Sequence, residues 1–214
     1  MPNPWESAYL RFETPGEEIR KFVRRFRRLG ASTWHKKSEV VELFCGRGSG
    51  LHAMQHMGFI NLEGIDLSEN LLSQYDGPAK CQVGDCRSLP FAQNSKDIVI
   101  VEGGLHHLPD FPAGIEETLS EIRRILRCDG LVVLDEPWLT PFLMSAHVAC
   151  SIRFARRISK KIDCLATMIE HERNTYEEWL GNPDAISRLA KTYFIPTMES
   201  VRWGRWNFVG TLGT

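Results

Sequence analysis

Glu42, Asp66, Asp85 and the pair Asp135-Glu136 each close a strand-like apolar run, and His106 and His107 follow another such run, Asp97–Val101. Those residue types do two kinds of chemistry. A carboxylate accepts hydrogen bonds from two or more partners and donates none, so it grips hydroxyl and ammonium groups. A histidine takes or gives a proton near neutral pH. Asp66 lies twenty residues beyond Gly46, the spacing at which an acid holds a ribose diol. Any single acid could be a helix cap, and Ser68 or Glu69 is better read that way. Acids at successive strand ends argue instead for one shared ligand site.

Glu42 also opens the run Glu42-Leu43-Phe44-Cys45-Gly46-Arg47-Gly48-Ser49-Gly50. Glycine has no Cβ, so main chain there can approach a ligand closely. Ahead of a helix, the loop turns its N–H groups toward that ligand. A dinucleotide wants Gly-x-Gly-x-x-Gly, whereas here the spacing is Gly46-x-Gly48-x-Gly50. A pyrophosphate would be repelled by Glu42, and an ammonium group would be attracted. The pattern points to a nucleoside-like ligand with a cationic end, of which S-adenosylmethionine, with its amine and sulfonium, is the match.

These residues need a frame that brings strand ends together. Strand-like runs fall at Glu39–Phe44, Leu62–Ile65, Cys81–Val83, Asp97–Val101 and Leu131–Leu134, with helical stretches at Gly50–Met57, Glu69–Tyr75 and Gly114–Leu126. That alternation predicts an α/β, doubly wound Rossmann-like fold with a parallel sheet covered on both faces. The chain reads as one domain of 214 residues: a helical cap (1–35), a core (36–137), a helical insertion (138–190) and a C-terminal hairpin (191–214). In the cap, Ile19, Phe22, Val23, Phe26 and Leu29 recur at helical spacing, with Gly30 as the stop. Arg20, Lys21, Arg24, Arg25, Arg27 and Arg28 read as the solvated face, or as a site for an anionic partner. The hairpin is expected as Met198–Trp203, a Gly204-Arg205 turn and Trp206–Leu212.

Composition narrows the setting. A net charge of −1 predicts no strong general attraction to nucleic acid or to anionic membrane. The six cysteines, at 45, 81, 86, 128, 150 and 164, form no Cys-x-x-Cys pair, so no metal site is expected. Scattered reduced thiols, with Trp5, Glu6 and Arg11 where a signal peptide needs apolar residues, read as cytoplasmic. Trp138–Ala155 is apolar but interrupted by Pro141, His147 and Arg153, too short to span a bilayer. It reads as a core helix or substrate lid, with interfacial contact as the second reading.

The stretch 40–134 resembles the class I S-adenosylmethionine-dependent methyltransferases, in their type 11 subgroup, through five collinear blocks. Val41 to Gly48 looks like the first motif and Gly64-Ile65-Asp66-Leu67-Ser68 like the ribose-binding second. Gly84-Asp85-Cys86-Arg87-Ser88-Leu89-Pro90-Phe91 is similar to the adenine-side third. Asp97-Ile98-Val99 through Leu105-His106-His107-Leu108 resembles the fourth, and Glu121 to Gly130 the segment entering the fifth strand. Phe44 stands where that family usually has glycine, and Cys128-Asp129 where Pro-Gly is common.

The resemblance implies a seven-stranded sheet of order 3-2-1-4-5-7-6 with the seventh strand antiparallel. It implies S-adenosylmethionine as cofactor and S-adenosylhomocysteine as product. Glu42 and the Gly46 main chain, within the loop Phe44-Cys45-Gly46-Arg47-Gly48, would hold the methionine end. Asp66 would take the ribose hydroxyls, Leu67 would line the adenine, and Asp85 and the Cys86 N–H would meet its edge. Glu102, Gly103 and Gly104 would line the path to the methyl.

In-line methyl transfer needs alignment and desolvation, and a base only where the nucleophile holds a proton. His107 is the first candidate base and His106 the second; Glu136, His147 and His171 are lesser ones, and His107 could instead be a helix-start or packing histidine. The fourth strand lacks the Asn/Asp-Pro-Pro-aromatic sequence of base-amine enzymes. A small or lipid-like acceptor, methylated on oxygen or carbon, is the preferred reading, with no transmembrane segment. A tRNA acceptor remains open because of two basic runs, the cap's and a second at Arg153, Arg156, Arg157, Lys160 and Lys161. So do a catalytically silent cofactor-binding subunit and, less favoured by the glycine spacing, a nicotinamide oxidoreductase.

Overall fold

Branched aliphatic runs form the strands of the computed structural model, which describes residues 3–213. The strands are β1 (Glu39–Leu43), β2 (Asn61–Asp66), β3 (Lys80–Val83), β4 (Lys96–Glu102), β5 (Leu126–Pro137), β6 (Ile195–Arg202) and β7 (Arg205–Thr211). They make one sheet of order β3-β2-β1-β4-β5-β7-β6. Strands β1 to β5 pair in parallel, and β7 runs antiparallel to both β5 and β6. The expected class and strand order are the ones found.

Register explains the site's location. Leu43 pairs with Ile65 and with Val101, and Glu102 pairs with Asp135. The carboxyl ends of β1, β2, β4 and β5 therefore stop along one edge, with Asp66, Glu102 and Asp135 at or near their last positions. Side chains alternate across a strand. Val41, Leu43, Val99 and Val101 enter one buried cluster, while Val40, Ile98 and Ile100 enter the other.

Helices α3 (Ser49–His56), α4 (Glu69–Leu72) and α5 (Ala113–Ile125) connect the parallel strands. The expected helical cap is built of two helices, α1 (Pro4–Phe12) and α2 (Pro15–Arg28). The break follows from local chemistry. The Thr14 side chain accepts the Glu17 N–H while the Glu17 carboxylate accepts the Thr14 N–H, a capping box that starts a fresh helix at Pro15. Met1, Pro2 and Thr214, the outermost residues of the expected cap and hairpin, lie outside the described residues.

After β5 come α6 (Pro141–Ser151), α7 (Arg153–Ile158), α8 (Lys160–His171), α9 (Arg173–Gly181) and α10 (Pro183–Tyr193). Ile186 and Ala190 of α10 join the sheet's core, so that helix covers the sheet. The hairpin turn is Trp203-Gly204, one residue earlier than expected, with φ of 50° and 77°. Arg205 is consequently a strand residue, paired across from Pro137.

Candidate active site

The glycine loop bends by main-chain conformations that few residues accept. Phe44, Gly46 and Gly48 have φ of 55°, 54° and 75°. Gly46 donates its N–H to Asp66 Oδ2 at 2.7 Å, and Ser68 donates to Oδ1 at 2.8 Å. Burial raises the Asp66 carboxyl, against those two N–H groups. A Cβ on Gly50 would overlap the Glu42 carboxylate, which sits beneath the start of α3. Glu42 is 3% exposed and its Oε2 has no hydrogen-bond partner among the described residues. Burial pushes its carboxyl well up. A buried acceptor without a donor is costly, and an ammonium group would supply the donor. The residues present therefore fit a cofactor with a cationic amine.

The other motif residues are placed as follows. Cys45 is buried at the bend, and the Cys86 thiol turns inward to Thr118 Oγ1 at 3.4 Å, where burial pushes it up to about 11. Leu67 is 64% exposed, free to cover a flat ligand. Asp85 is held in a two-point pair by Arg87, at 2.7 to 3.1 Å. Gly103, at φ 67°, donates to the Asp135 carbonyl at 2.7 Å.

Glu102 is not a free wall of the cleft. It and Asp135 bind Arg25 of α2 and Arg205 of β7, and Asn207 donates to Asp135 at 3.0 Å. Arg25, read from sequence as part of a solvated face, is 8% exposed. A second buried cluster bolts the cap to the glycine loop. Arg47 and Ser49 both donate to Glu18 Oε2, at 2.8 and 2.7 Å, and Arg47 also donates to the Glu13 carbonyl at 2.8 Å. The Tyr9 hydroxyl donates to Glu18 at 3.1 Å and lies over Gly46. Glu6 accepts from Ser68 and Asn70, beside Asp66. Helix α1 thus closes over the acid-lined edge. Sequence reading missed Arg47 because it was merely the variable residue between two glycines. Glu18 and Arg25 left one signal: they interrupt the apolar stripe of Phe22, Phe26 and Leu29 at helical spacing.

The two histidines follow β4 in a single 3-10 turn, Leu105–His107. His106 is buried, with Nδ1 2.8 Å from Glu136 Oε2. Glu136 Oε1 accepts the Gly104 and Leu105 N–H groups, both at 2.8 Å. Burial works to raise the Glu136 carboxyl, but the His106 ring and those N–H groups outweigh it and hold it low. A charged acceptor at Nδ1 fixes the proton there and leaves Nε2 as the basic nitrogen. Burial, with the neighbouring His107 charge, lowers the His106 imidazole.

His107 differs. Its Nδ1 pairs with Glu172, which also accepts from Trp5 Nε1. Burial lowers its affinity for a proton, but the Glu172 pair outweighs that and raises it. Tyr176 packs edge-on against His106 and lies 3.1 Å from His147 Nε2. His171 is exposed. Ligand atoms of His106, His107 and Glu172 lie within 4.8 Å of one another, an ion-sized cluster that spacing did not reveal because Glu172 comes from the distant junction of α8 and α9. Each already has a protein partner, in Glu136, Glu172 and Trp5.

Residues 41–134 match a family model described as a methyltransferase domain. Two demethylmenaquinone methyltransferases are similar to the chain. That of Desulfitobacterium hafniense (strain Y51) is 36% identical over 81 residues, covering 34% of this chain and 30% of that protein. That of Staphylococcus saprophyticus is 31% identical over 121 residues, covering 47% and 49%. The chain thus spans less than half the length of these curated relatives. Among solved structures, a protein of Pyrococcus horikoshii OT3 superposes with a TM-score of 0.67 at 20% identity, over 91% of each chain. A putative S-adenosyl-L-methionine-dependent methyltransferase of Methanococcus maripaludis superposes with a TM-score of 0.64 at 12% identity, over 100% of this chain and 96% of that one. At those identities the likeness establishes the fold. No helix among the described residues is long and apolar enough to cross a membrane.

Proposed function

We propose that this chain, whose residues 41–134 match a family model described as a methyltransferase domain, transfers a methyl group from S-adenosylmethionine to a small or lipid-like acceptor. The observation that carries the cofactor half is Glu42 Oε2, a buried acid oxygen lacking a donor at the glycine loop. Glu42 and the Gly46 main chain would hold the amino-acid end, Asp66 the ribose, and Leu67, Asp85 and the Cys86 N–H the adenine. When bound, the cofactor supplies a methyl group on a cationic sulfur that leaves readily.

The acceptor half rests on His106. An acceptor hydroxyl or acidic C–H would give its proton to His106 Nε2 as its oxygen or carbon takes the methyl group, the sulfur–methyl bond breaking with its electron pair left on sulfur. Glu136, already bonded to Nδ1, stabilises the resulting imidazolium. His107 is the less available base because its pair with Glu172 raises its hold on a proton. This reverses the order suggested by sequence. Trp5, Tyr9 and Phe12 pack with Leu165 and Met168, so α1 and α8 together roof the cleft and exclude water. The relatives' name supports a quinone-class acceptor for this chain.

Calorimetry with S-adenosylmethionine, S-adenosylhomocysteine and NAD tests the cofactor. Both adenosyl compounds should bind and NAD should not; binding of NAD alone would sink the reading. Transfer of labelled methyl to a reduced quinone tests the acceptor. Cofactor binding without transfer to any quinone, phenol or lipid-like acceptor would favour a silent binding subunit.

A further inference from the structure

We propose that the outer face of α6 and α7 is a docking surface for an anionic lipid bilayer. Half of the large hydrophobic side chains exposed among the described residues fall within the stretch Leu139–Ile158. On α6, Met144 and Val148 lie one turn apart, and Ile152 follows at the same spacing; they are 54%, 60% and 48% exposed. On α7, Phe154 and Ile158 repeat the pattern at 70% and 71%. Trp203, at the hairpin turn and 69% exposed, packs edge-on against Phe142 at 5.7 Å and extends the face to the sheet. Exposed apolar side chains concentrated in one short stretch mark an interaction site.

The charges say what covers it. Arg153 and Arg157, also one turn apart, alternate with Phe154 and Ile158 on α7. Arg153, Arg156 and Arg157 line an open cleft of about 550 Å³, with Asp163 as the one acidic lining residue among the described residues. Arg156 is neutralised by Asp163 and Glu170. Arg153, Arg157 and Lys160 have no acidic partner among the described residues. Exposed apolar side chains interleaved with unpaired cations suit a surface that is greasy beneath and negatively charged above, which is a bilayer rich in anionic headgroups. The segment lies on such a surface: α7 has six residues, and no described helix could span. The inference does not depend on the methyl-transfer reading.

Flotation of the full chain with liposomes tests it. The protein should float with phosphatidylcholine vesicles containing phosphatidylglycerol and much less with phosphatidylcholine alone, and added salt should weaken the difference. Phe154→Ser with Ile158→Ser should weaken binding about tenfold or more, because both apolar side chains lose their burial in the interface; separately, Arg153→Glu with Arg157→Glu should weaken it about 25-fold or more, because each cation near an anionic surface is worth roughly fivefold. All four positions are exposed, so thermal unfolding should be unchanged. No flotation of the unmodified protein, equal flotation on neutral vesicles, or unaltered flotation of both variants would overturn the proposal. So would self-association lost on Phe154→Ser without flotation, which would assign the face to a second copy.

Discussion

The cofactor edge and the acceptor side of the cleft are built by opposite means. At the cofactor edge the main chain does the holding. Gly46 N–H meets Asp66, Gly103 N–H meets the Asp135 carbonyl, and Gly48 precedes α3 in a left-handed conformation. On the acceptor side distant side chains do it: His107 with Glu172, Trp5 with Glu172, and Arg25 with Glu102 and Asp135. Main-chain demands constrain residue type at fixed offsets, because few residues tolerate positive φ. A side-chain ion pair can be completed from anywhere in the chain, so it leaves no spacing behind.

The largest effect should come from separating the two histidines. His106→Gln should lower kcat by about 10² to 10⁴, the usual worth of a positioned base, while His107→Gln should cost less than about tenfold. Steady-state kinetics with a protic acceptor decide this, and equal losses would erase the distinction. The pH profile sharpens it. Burial favours neutral His106, so the base is in its working form down to a pH below the ordinary histidine range. The acid limb of kcat should lie there. A limb above that range would transfer the role to His107, whose proton Glu172 retains.

Next in size is the acceptor side's ion cluster. Two cations, Arg25 and Arg205, balance two acids, Glu102 and Asp135. Arg25→Met keeps the packing beside Phe22 but leaves an uncompensated buried negative charge. It should destabilise by about 3 kcal/mol or more, read as a lower urea midpoint. The matching cut at the cofactor edge is smaller. Gly50→Ala drives a methyl group into the Glu42 carboxylate and should cost about 2 kcal/mol. Adding Glu42→Ala should restore stability without restoring cofactor binding. A Gly50→Ala penalty unchanged by Glu42→Ala would place the strain elsewhere.

Legibility divides along the same line. The runs at Glu39–Phe44, Leu62–Ile65 and Asp97–Val101 announced buried parallel strands, and right-handed crossovers left few ways to order them. Glu42 and Asp66 were readable because the bend between them is a main-chain event. Arg25 was hidden: among six cations on one helix, nothing but its place in the apolar stripe distinguished the one turned inward. Glu172 was hidden more completely, since its role depends on α9 folding back over the turn that holds His107. The hairpin turn was misplaced by one residue because Trp203, φ 50°, accepts a conformation that a bulky side chain usually refuses.

A third comparison sets the edge's two acids against each other. Glu42→Ala and Asp66→Ala should each weaken S-adenosylhomocysteine binding by about tenfold or more, since each removes charge-assisted hydrogen bonds. Calorimetry in buffers of different ionisation enthalpy separates them further. The Glu42 carboxyl is raised by burial, so the free protein holds a proton there at a pH where an exposed glutamate holds none. An ammonium group arriving beside it favours the anion, and binding should release that proton. Glu42→Ala should abolish the release. Equal affinities in both variants and the unmodified protein would refute the site assignment.

The smallest effect is the most local. Phe44 holds φ 55° where the resembling family uses glycine, and its ring fills the space a Cβ on Gly104 would need. The left-handed main chain costs a non-glycine residue about 1 kcal/mol. The ring gives back a similar amount by packing against the core. Phe44→Gly should therefore change stability by about 1 kcal/mol or less, in either direction. The cycle with Gly104→Ala is more telling than either change alone. Gly104→Ala should be destabilising with Phe44 present and nearly silent once Phe44→Gly has removed the ring, a coupling of about 1 kcal/mol in urea unfolding. An additive result would mean that the ring moves aside freely. The glycine of one motif and the phenylalanine of another would then not be a matched pair, and the cofactor edge would tolerate side-chain variation as the acceptor side does.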